Sequence, residues 1–584
     1  MAALRLRQCA PMDWGYRSWY SAASLKSRVQ SPKSKMSKRA LFRLCALLLG
    51  LMPLIMLEGA LRIFHIGGHP NSSDPLSGFN RNFPLFERHG TVYRTAHSRE
   101  PFFPAQEFPA TKPPNTFRIF CLGGSTVHGH PYQSPTAFPA WLQIELAGAD
   151  PARAYQAINC GGVSYASYRL RPIVREILDY QPDLIIIATG ENEFLEDRTY
   201  QSLKARPVLW ARAQDAAYSL RLVTVARDWL WSLDRKTGRG EGSGKPPLSR
   251  EVKTRLDDRS GYASYHRDEA WHERVKMQFE ESMRAMVKMC NTARVPIMLV
   301  KLGSNLRDCP PFKSEHKAGL SASDEAVWQK HFEAATAAEK TDPNEALALY
   351  LKAEALDGEY ALLAFRIARV LDRLGRKSEA LNYYLKAKDQ DICPLRLIKP
   401  HEEVLAAVAA ETKIPLVDVA TLIASRGPDQ IPGNDCYLDH VHPTIGGHQK
   451  MAQAIAAEMV SVGIISRAGT WPEPERCAAY GRQLAGLGPA YFSDGRRRVE
   501  WLEGWARREK LFDEIPPQDA SGYLRLGFKR LDLDDGDGAW EAFGEALKRD
   551  REAANLLRRH AEELLAEGRI ESAQRLLQRL NHLQ

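Results

Sequence analysis

Short, mainly apolar runs alternate with amphipathic stretches through the middle of the chain. "FRIFCLGG" (117–124), "AYQAINCGG" (154–162), "DLIIIATG" (183–190), "VPIMLVKLG" (295–303) and "IPLVDVA" (414–420) each have the length of a buried strand. Between them lie helical patterns such as "AFPAWLQIELAG" (137–148) and "ERVKMQFEESMRAMVKMCN" (273–291). Strands that are apolar on both faces, separated by helices, predict a mostly parallel sheet with helices on each side. The fold class is therefore α/β, in three layers. Ligand sites in such sheets gather at the carboxyl ends of the strands. The residues that follow each apolar run are thus the first place to look for chemistry.

The interval between the fourth run and the fifth, residues 304–413, is far longer than an ordinary crossover. It holds a repeat. "EALALYLKAEALD" starts at Glu345 and "EALNYYLKAKDQD" at Glu379, so that Ala346, Tyr350 and Ala353 recur 34 residues later as Ala380, Tyr384 and Ala387. The same spacing relates Ala539, Phe543 and Ala546 to Ala573, Leu577 and Leu580, and Gly375-Arg376 and Gly568-Arg569 stand at matching turns. A 34-residue period with small residues at helix contacts resembles the tetratricopeptide repeat, which implies stacked helix pairs offering a surface to a protein partner.

Charge matters only once it is located. Lys and Arg exceed Asp and Glu by 80 to 71, but residues 1–43 contain ten of the basic residues and one acid, Asp13. The remainder is balanced, so no nucleic-acid partner is expected. The basic arm runs into "ALFRLCALLLGLMPLIMLEGALRIF" (40–64), of which Leu44 to Leu57 is free of charge. Those 14 residues cover about 21 Å as a helix against a hydrocarbon layer of ~30 Å. A single uncleaved transmembrane anchor is expected if Arg43 snorkels and Glu58 pairs with Arg62; a cleaved signal peptide and a buried soluble helix are the rivals. Lys33, Lys35, Lys38, Arg39 and Arg43 put the N-terminus in the cytoplasm and everything after the span on the periplasmic or extracellular side. Met36 is an alternative start. The resulting division is a basic arm (1–39), an anchor (40–64), a linker (65–114), an α/β domain in two parts (115–305 and 396–465) interrupted by inserted repeats (306–395), and a C-terminal helical region with repeats (466–584).

Nine cysteines include no C-x-x-C pair, so a structural zinc site is not expected. Cys121 and Cys160 read as buried thiols, and Cys309 and Cys393, in Pro-flanked loops, are candidates for one disulfide. The chemistry-bearing residues sit where the runs end. Ser125 follows Gly123-Gly124 directly. Asp439 and His442, three apart in "CYLDHVHPTIGGHQ", can place a carboxylate on one nitrogen of an imidazole while the other faces a serine. His440 is expected to point away and His448 to pack. Gly161 and Gly162 offer close backbone approach, and Asn192 in "IIIATGENEF" is an uncharged donor.

The order GGST, N-x-G, G-x-N and D-x-x-H-P resembles the SGNH (GDSL-like) hydrolases over about residues 115–305 and 396–460. GGST stands where the family's name motif reads GDS, and Glu193 follows Asn192 where Asp is common. The resemblance implies Ser125 as nucleophile, His442 as base and Asp439 as its orienting acid. It also implies an oxyanion hole from the N–H groups of Ser125 and Gly161 and the Asn192 amide, with Gly162 as the competing glycine. The same resemblance implies no metal or cofactor. An ester substrate, including an O-acetyl group of a cell-envelope or extracellular glycan, is the expected target. Transfer of the acyl group to a sugar hydroxyl, and a scaffold that only binds ligand, are the alternatives.

Overall fold

The computed structural model describes residues 38–64, 66, 84–204, 265–425, 429–466, 471–508 and 517–582, with a few positions between 217 and 229. The arm over 1–37, with Met36, lies outside them. The chain divides into two compact units, Met1–Phe64 and His65–Gln584.

In the first unit one helix, α1 (Lys38–Ile63), covers the expected anchor. Arg62 donates to Glu58 at 2.7 Å, as the i,i+4 spacing predicts. Among the described residues, however, no helix is long and apolar enough to cross a membrane. The charge-free run is short, and Pro53 lies inside the helix.

The second unit is built on five parallel strands in the order β5-β4-β6-β7-β8. They are β4 (Thr116–Gly123), β5 (Ala154–Gly161), β6 (Leu184–Ala188), β7 (Ile297–Lys301) and β8 (Leu416–Asp418). Each apolar run supplies one strand. The two-residue side-chain period divides β6 between two cores, Leu184, Ile186 and Ala188 facing one and Ile185 and Ile187 the other. The first core is closed by α3 (Phe138–Ala149), α12 (Val419–Ala424) and α13 (Ile445–Ser461), the second by α4 (Ser167–Ile177), α6 (Glu269–Ala293) and α11 (Lys399–Thr412). Two shorter helices, α2 (Ser125–His128) and α5 (Glu193–Lys204), start at strand ends.

The stretch expected to be a linker is partly folded. Strands β1 (Phe86–His89), β2 (Val92–Thr95) and β3 (Glu107–Pro109) form an antiparallel sheet, and Phe86, Tyr93 and Phe108 pack around Tyr180. Strands of three and four residues are too short to leave a period in the sequence, which is why the pattern did not reveal them.

The long interval before β8 forms four helices, α7 (Ala322–Ala338), α8 (Pro343–Leu356), α9 (Ala361–Arg373) and α10 (Lys377–Asp389). Ala346, Tyr350 and Ala353 and their partners Ala380, Tyr384 and Ala387 all lie in one core, which Leu306 and Ile431 join from outside the four helices. The two ends of this insertion meet: Ile392 N–H donates to Lys313 O at 2.9 Å, and Phe312 N–H to Asp391 at 2.8 Å. Cys309 and Cys393 are buried free thiols, so the expected bridge is not formed. Their apolar surroundings push both thiols up, Cys309 to about 11, which leaves them protonated packing residues.

Beyond α13 come α14 (Glu473–Ala485), α15 (Pro489–Arg508), α16 (Ala520–Asp532), α17 (Gly536–Arg549), α18 (Ala553–Ala566) and α19 (Ile570–His582). Helices α16 to α19 share a core containing Ala539, Phe543, Ala573 and Leu580. Tyr480, Leu484 and Val499 of α14 and α15 instead join the first core of the sheet.

Candidate active site

Ser125 sits at the carboxyl end of β4, as the first residue of α2, with Gly124 in extended backbone before it. The two glycines are there for space. A Cβ on Gly123 would lie 2.0 Å from Ala188 O, and one on Gly124 would lie 2.6 Å from the Asn192 amide nitrogen. Only glycine lets the end of β6 and Asn192 come this close to the serine.

The acid and the imidazole follow β8, at the edge of the sheet. After β8 the chain turns at Tyr437 and Pro443, which form a bridge, while Leu438 N–H donates to His442 O at 2.8 Å. Thr444 then caps α13 by accepting from Gly447 N–H at 3.1 Å. The turn holds Asp439 Oδ1 against the N–H groups of Val441 and His442, both at 2.9 Å. Asp439 Oδ2 lies 2.6 Å from His442 Nδ1, and His442 Nε2 lies 2.7 Å from Ser125 Oγ. Ser125, Asp439 and His442 are thus brought together. Burial alone would raise the Asp439 carboxyl, but His442, His440 and hydrogen bonds to the carboxylate hold it well below its ordinary range. The carboxylate fixes His442 Nδ1 as the protonated nitrogen and leaves Nε2 to accept from the serine hydroxyl.

His440 Nδ1 is 3.6 Å from Asp439 Oδ1 and its ring abuts Phe312, away from Ser125. His448 is buried in α13, and burial pushes its imidazole down to about 3. Neither reaches the serine by any contact in the structure. Two groups that the sequence did not single out do lie beside the triad. The His130 ring is 4.8 Å from that of His442, and burial holds it well below its ordinary value, hence neutral. Glu191 is buried with both oxygens at 3.0–3.1 Å from Thr126 Oγ1, and burial raises its carboxyl to about 7.

The expected oxyanion hole needs one correction. Gly161 N–H donates to its own neighbour Asn159 Oδ1 at 2.9 Å, and Gly162 N–H to Gly123 O at 2.9 Å. Both glycines are committed to structure: a Cβ on Gly161 would meet His128 N at 2.1 Å, and Asn159 spends its amide on Val127 O at 2.8 Å. On the next turn Val163 N–H donates to Phe102 O and Tyr165 N–H to Gly162 O, which leaves the N–H of Ser164 with no acceptor in the structure. Ser164 has φ 60°, a left-handed conformation that turns its amide out of the local pattern. The turn lies against the nucleophile loop, for Asn192 Nδ2 donates to Tyr165 O at 3.3 Å beside Gly124. The candidate donors are therefore Ser125 N–H, Ser164 N–H and the Asn192 amide. A serine in left-handed backbone carries no sequence signal comparable to glycine. Among the described residues no group of His, Cys, Asp and Glu is arranged to hold a metal ion.

No protein-family model and no curated protein sequence matches the chain. Solved structures do. An acetylxylan esterase, Axe2, from Geobacillus stearothermophilus is 12% identical over 61% of this chain and 95% of its own, with a TM-score of 0.26. A GDSL-like lipase from Bacteroides thetaiotaomicron is 11% identical over 59% and 88%, with a TM-score of 0.23. A lipase/acylhydrolase from Enterococcus faecalis is 11% identical over 61% and 100%, with a TM-score of 0.25. At that identity and superposition the likeness carries no weight below; the side-chain geometry does.

Proposed function

We propose that the chain is a serine esterase of the SGNH type. The observation that carries this reading is the single imidazole set between a serine hydroxyl at 2.7 Å and a carboxylate at 2.6 Å. Ser125 Oγ attacks the acyl carbon as its proton passes to His442 Nε2, and Asp439 stabilises the imidazolium. The carbonyl oxygen gains the charge between Ser125 N–H, Ser164 N–H and Asn192. Collapse expels the alcohol, which takes the proton from His442. Water then attacks the acyl-enzyme with His442 again as base, releasing the acid and Ser125.

The substrate in this reading is an ester of a carbohydrate, O-acetyl groups included, outside the cytoplasm. Basic residues before α1 favour that orientation, and the exposed apolar side chains of Leu49, Ile55 and Met56 favour membrane attachment of the helix. The helices over 322–389, with the 34-residue register in their core, support a tetratricopeptide-like partner surface. A reporter active only after export, fused after residue 100, tests the orientation; an inactive fusion refutes it.

The catalytic reading is tested with a fluorophosphonate probe and a small aryl ester. The parent should be labelled and active, and Ser125→Ala should fold, escape labelling and lose turnover by several orders of magnitude. Equal labelling of both proteins would return Ser125 to an ordinary turn residue.

A further inference from the structure

One of the C-terminal helices, α16, touches both halves of the candidate site. Near its middle Arg525 makes a bidentate pair with Asp308, Nε to Oδ2 at 2.7 Å and Nη2 to Oδ1 at 3.0 Å. Asp308 follows β7 and passes the contact on. Its Oδ2 accepts from Asn434 N–H at 2.9 Å, and its own N–H donates to Asn305 Oδ1 at 3.0 Å. Asn305 in turn donates from its side chain to Asn434 Oδ1 at 3.0 Å and from its N–H to His440 O at 2.9 Å. His440 directly follows Asp439 and, with Val441, separates it from His442. A chain of polar contacts, Arg525 to Asp308 to Asn305 to His440, therefore runs from a helix of the C-terminal region into the turn that holds the acid and the imidazole.

At its other end α16 reaches the nucleophile side. The Tyr132 hydroxyl donates to Asp532 O, while Arg569 anchors the Asp532 side chain and donates to Leu531 O at 3.0 Å. Tyr132 belongs to the segment that leaves α2, and its neighbour His130 donates its N–H to Ser125 O at 3.1 Å and packs against His442. Arg498 of α15 donates to Pro131 O at 2.8 Å, holding the same segment. Arg525 and Asp532 are seven residues apart on one helix, about 10 Å along its axis. A rigid rod of fixed length is thus tied at one point to the serine's loop and at another to the histidine's. The Arg525–Asp308 pair is partly buried, and an ion pair with two parallel bonds holds direction as well as distance.

We propose that α16 is a positioning element for catalysis: through Arg525–Asp308 and Tyr132–Asp532 it fixes the distance between Ser125 and His442, so the C-terminal region is a working part of the active site. The proposal rests on the esterase reading above. Arg525 and Tyr132 act through other groups and touch no reacting atom. Their loss lengthens or loosens the hydrogen bond between Ser125 Oγ and His442 Nε2, which lowers the chemical step and leaves ester binding alone.

The test uses the full chain, p-nitrophenyl acetate and fluorophosphonate titration of active serines. Arg525→Met should lower kcat per labelled site about tenfold or more with KM within twofold, Arg525→Lys should recover part of it, and Tyr132→Phe should give a smaller loss of the same kind. A purely structural role predicts fewer labelled sites, each turning over at the parent rate; that result overturns the proposal. Failure of the esterase reading is seen separately, as a parent that neither labels nor hydrolyses. Positioning is then read from the downfield proton of His442 Nδ1, which Arg525→Met should shift or broaden and which an idle α16 would leave unchanged.

Discussion

The insertion over 322–389 and the region over 473–582 are both helical, and both contain residues that recur every 34 positions, yet they are attached to the sheet in different ways. The insertion packs a core that Leu306 and Ile431 join from outside it, its two ends meet at Lys313 and Ile392, and polar contacts such as Arg307 with Asp372 at 2.8 Å tie it to the acid–histidine side. The C-terminal region gives Tyr480, Leu484 and Val499 to the sheet's own core and grips the loops on both sides of Ser125. Helical periodicity says that a face will be covered. What covers it, and so whether the helices carry chemistry or only a surface, depends on where the chain enters and leaves the sheet.

Removing each region in turn should expose this difference most fully. A chain ending after residue 466 loses the cover of α3 and α13 and both ties to the site. It should give no measurable ester hydrolysis and little folded protein. Replacing about residues 315–390 by a short flexible linker bridges chain ends that already touch, and loop closure changes only logarithmically with length. That variant should keep hydrolysis of a small aryl ester within a few-fold of the parent. If it folds and is inactive, the insertion belongs to the site and the comparison fails.

Single core substitutions sharpen the same contrast at lower cost. Phe543 is buried in the C-terminal core with its ring against the backbone of Gly527, and Phe543→Ala should destabilise that core by about 3–5 kcal/mol. Leu371, equally buried in the insertion, should cost about 2–5 kcal/mol as Leu371→Ala. Followed by urea unfolding and by turnover across the transition, the first should lose activity in step with unfolding of its helices. The second should unfold helices with activity intact. Parallel loss in both would mean that the two regions unfold as one unit.

Much of this was legible in the sequence, and the exceptions have physical reasons. Strands covered on both faces are mainly apolar, so all five runs announced themselves, and Ser125, Asp439 and His442 stand at run ends or helix entries where chain geometry leaves little choice. Asn192 also lies where it was expected, beside the nucleophile loop. Gly161 was misassigned because glycine marks close approach without saying which atom approaches: here His128 does, and the free amide is that of Ser164. The sheet over 86–109 was missed because its strands are too short to show a period. The ties from α16 could not be read at all. Arg525 and Asp308 are 217 residues apart, and nothing local in either segment names the other.

The smallest effect separates the sheet from both helical regions by pH. Each helical region pairs one of its buried acids with a cation, Glu339 with Arg366 at 3.1 Å and Asp532 with Arg569, whereas Glu191 beneath the site hydrogen-bonds to the Thr126 hydroxyl. Burial accordingly raises Glu191 from the usual carboxyl range to about 7. The native state therefore holds a proton that the unfolded chain has released between about pH 4.5 and 7, so this group's contribution to stability falls as pH rises through that window. Glu191→Gln keeps a hydrogen-bonding side chain and cannot ionise. It should leave stability near that of the parent at pH 5 and exceed it by a few kcal/mol at pH 8 to 9, in urea melts monitored on the sheet. The advantage should be absent from α7–α10 and α16–α19 when those are followed separately by hydrogen exchange. A gain that is the same at pH 5 and pH 9 would show that Glu191 ionises as an ordinary carboxyl, and that alkaline weakening has its source in the helices.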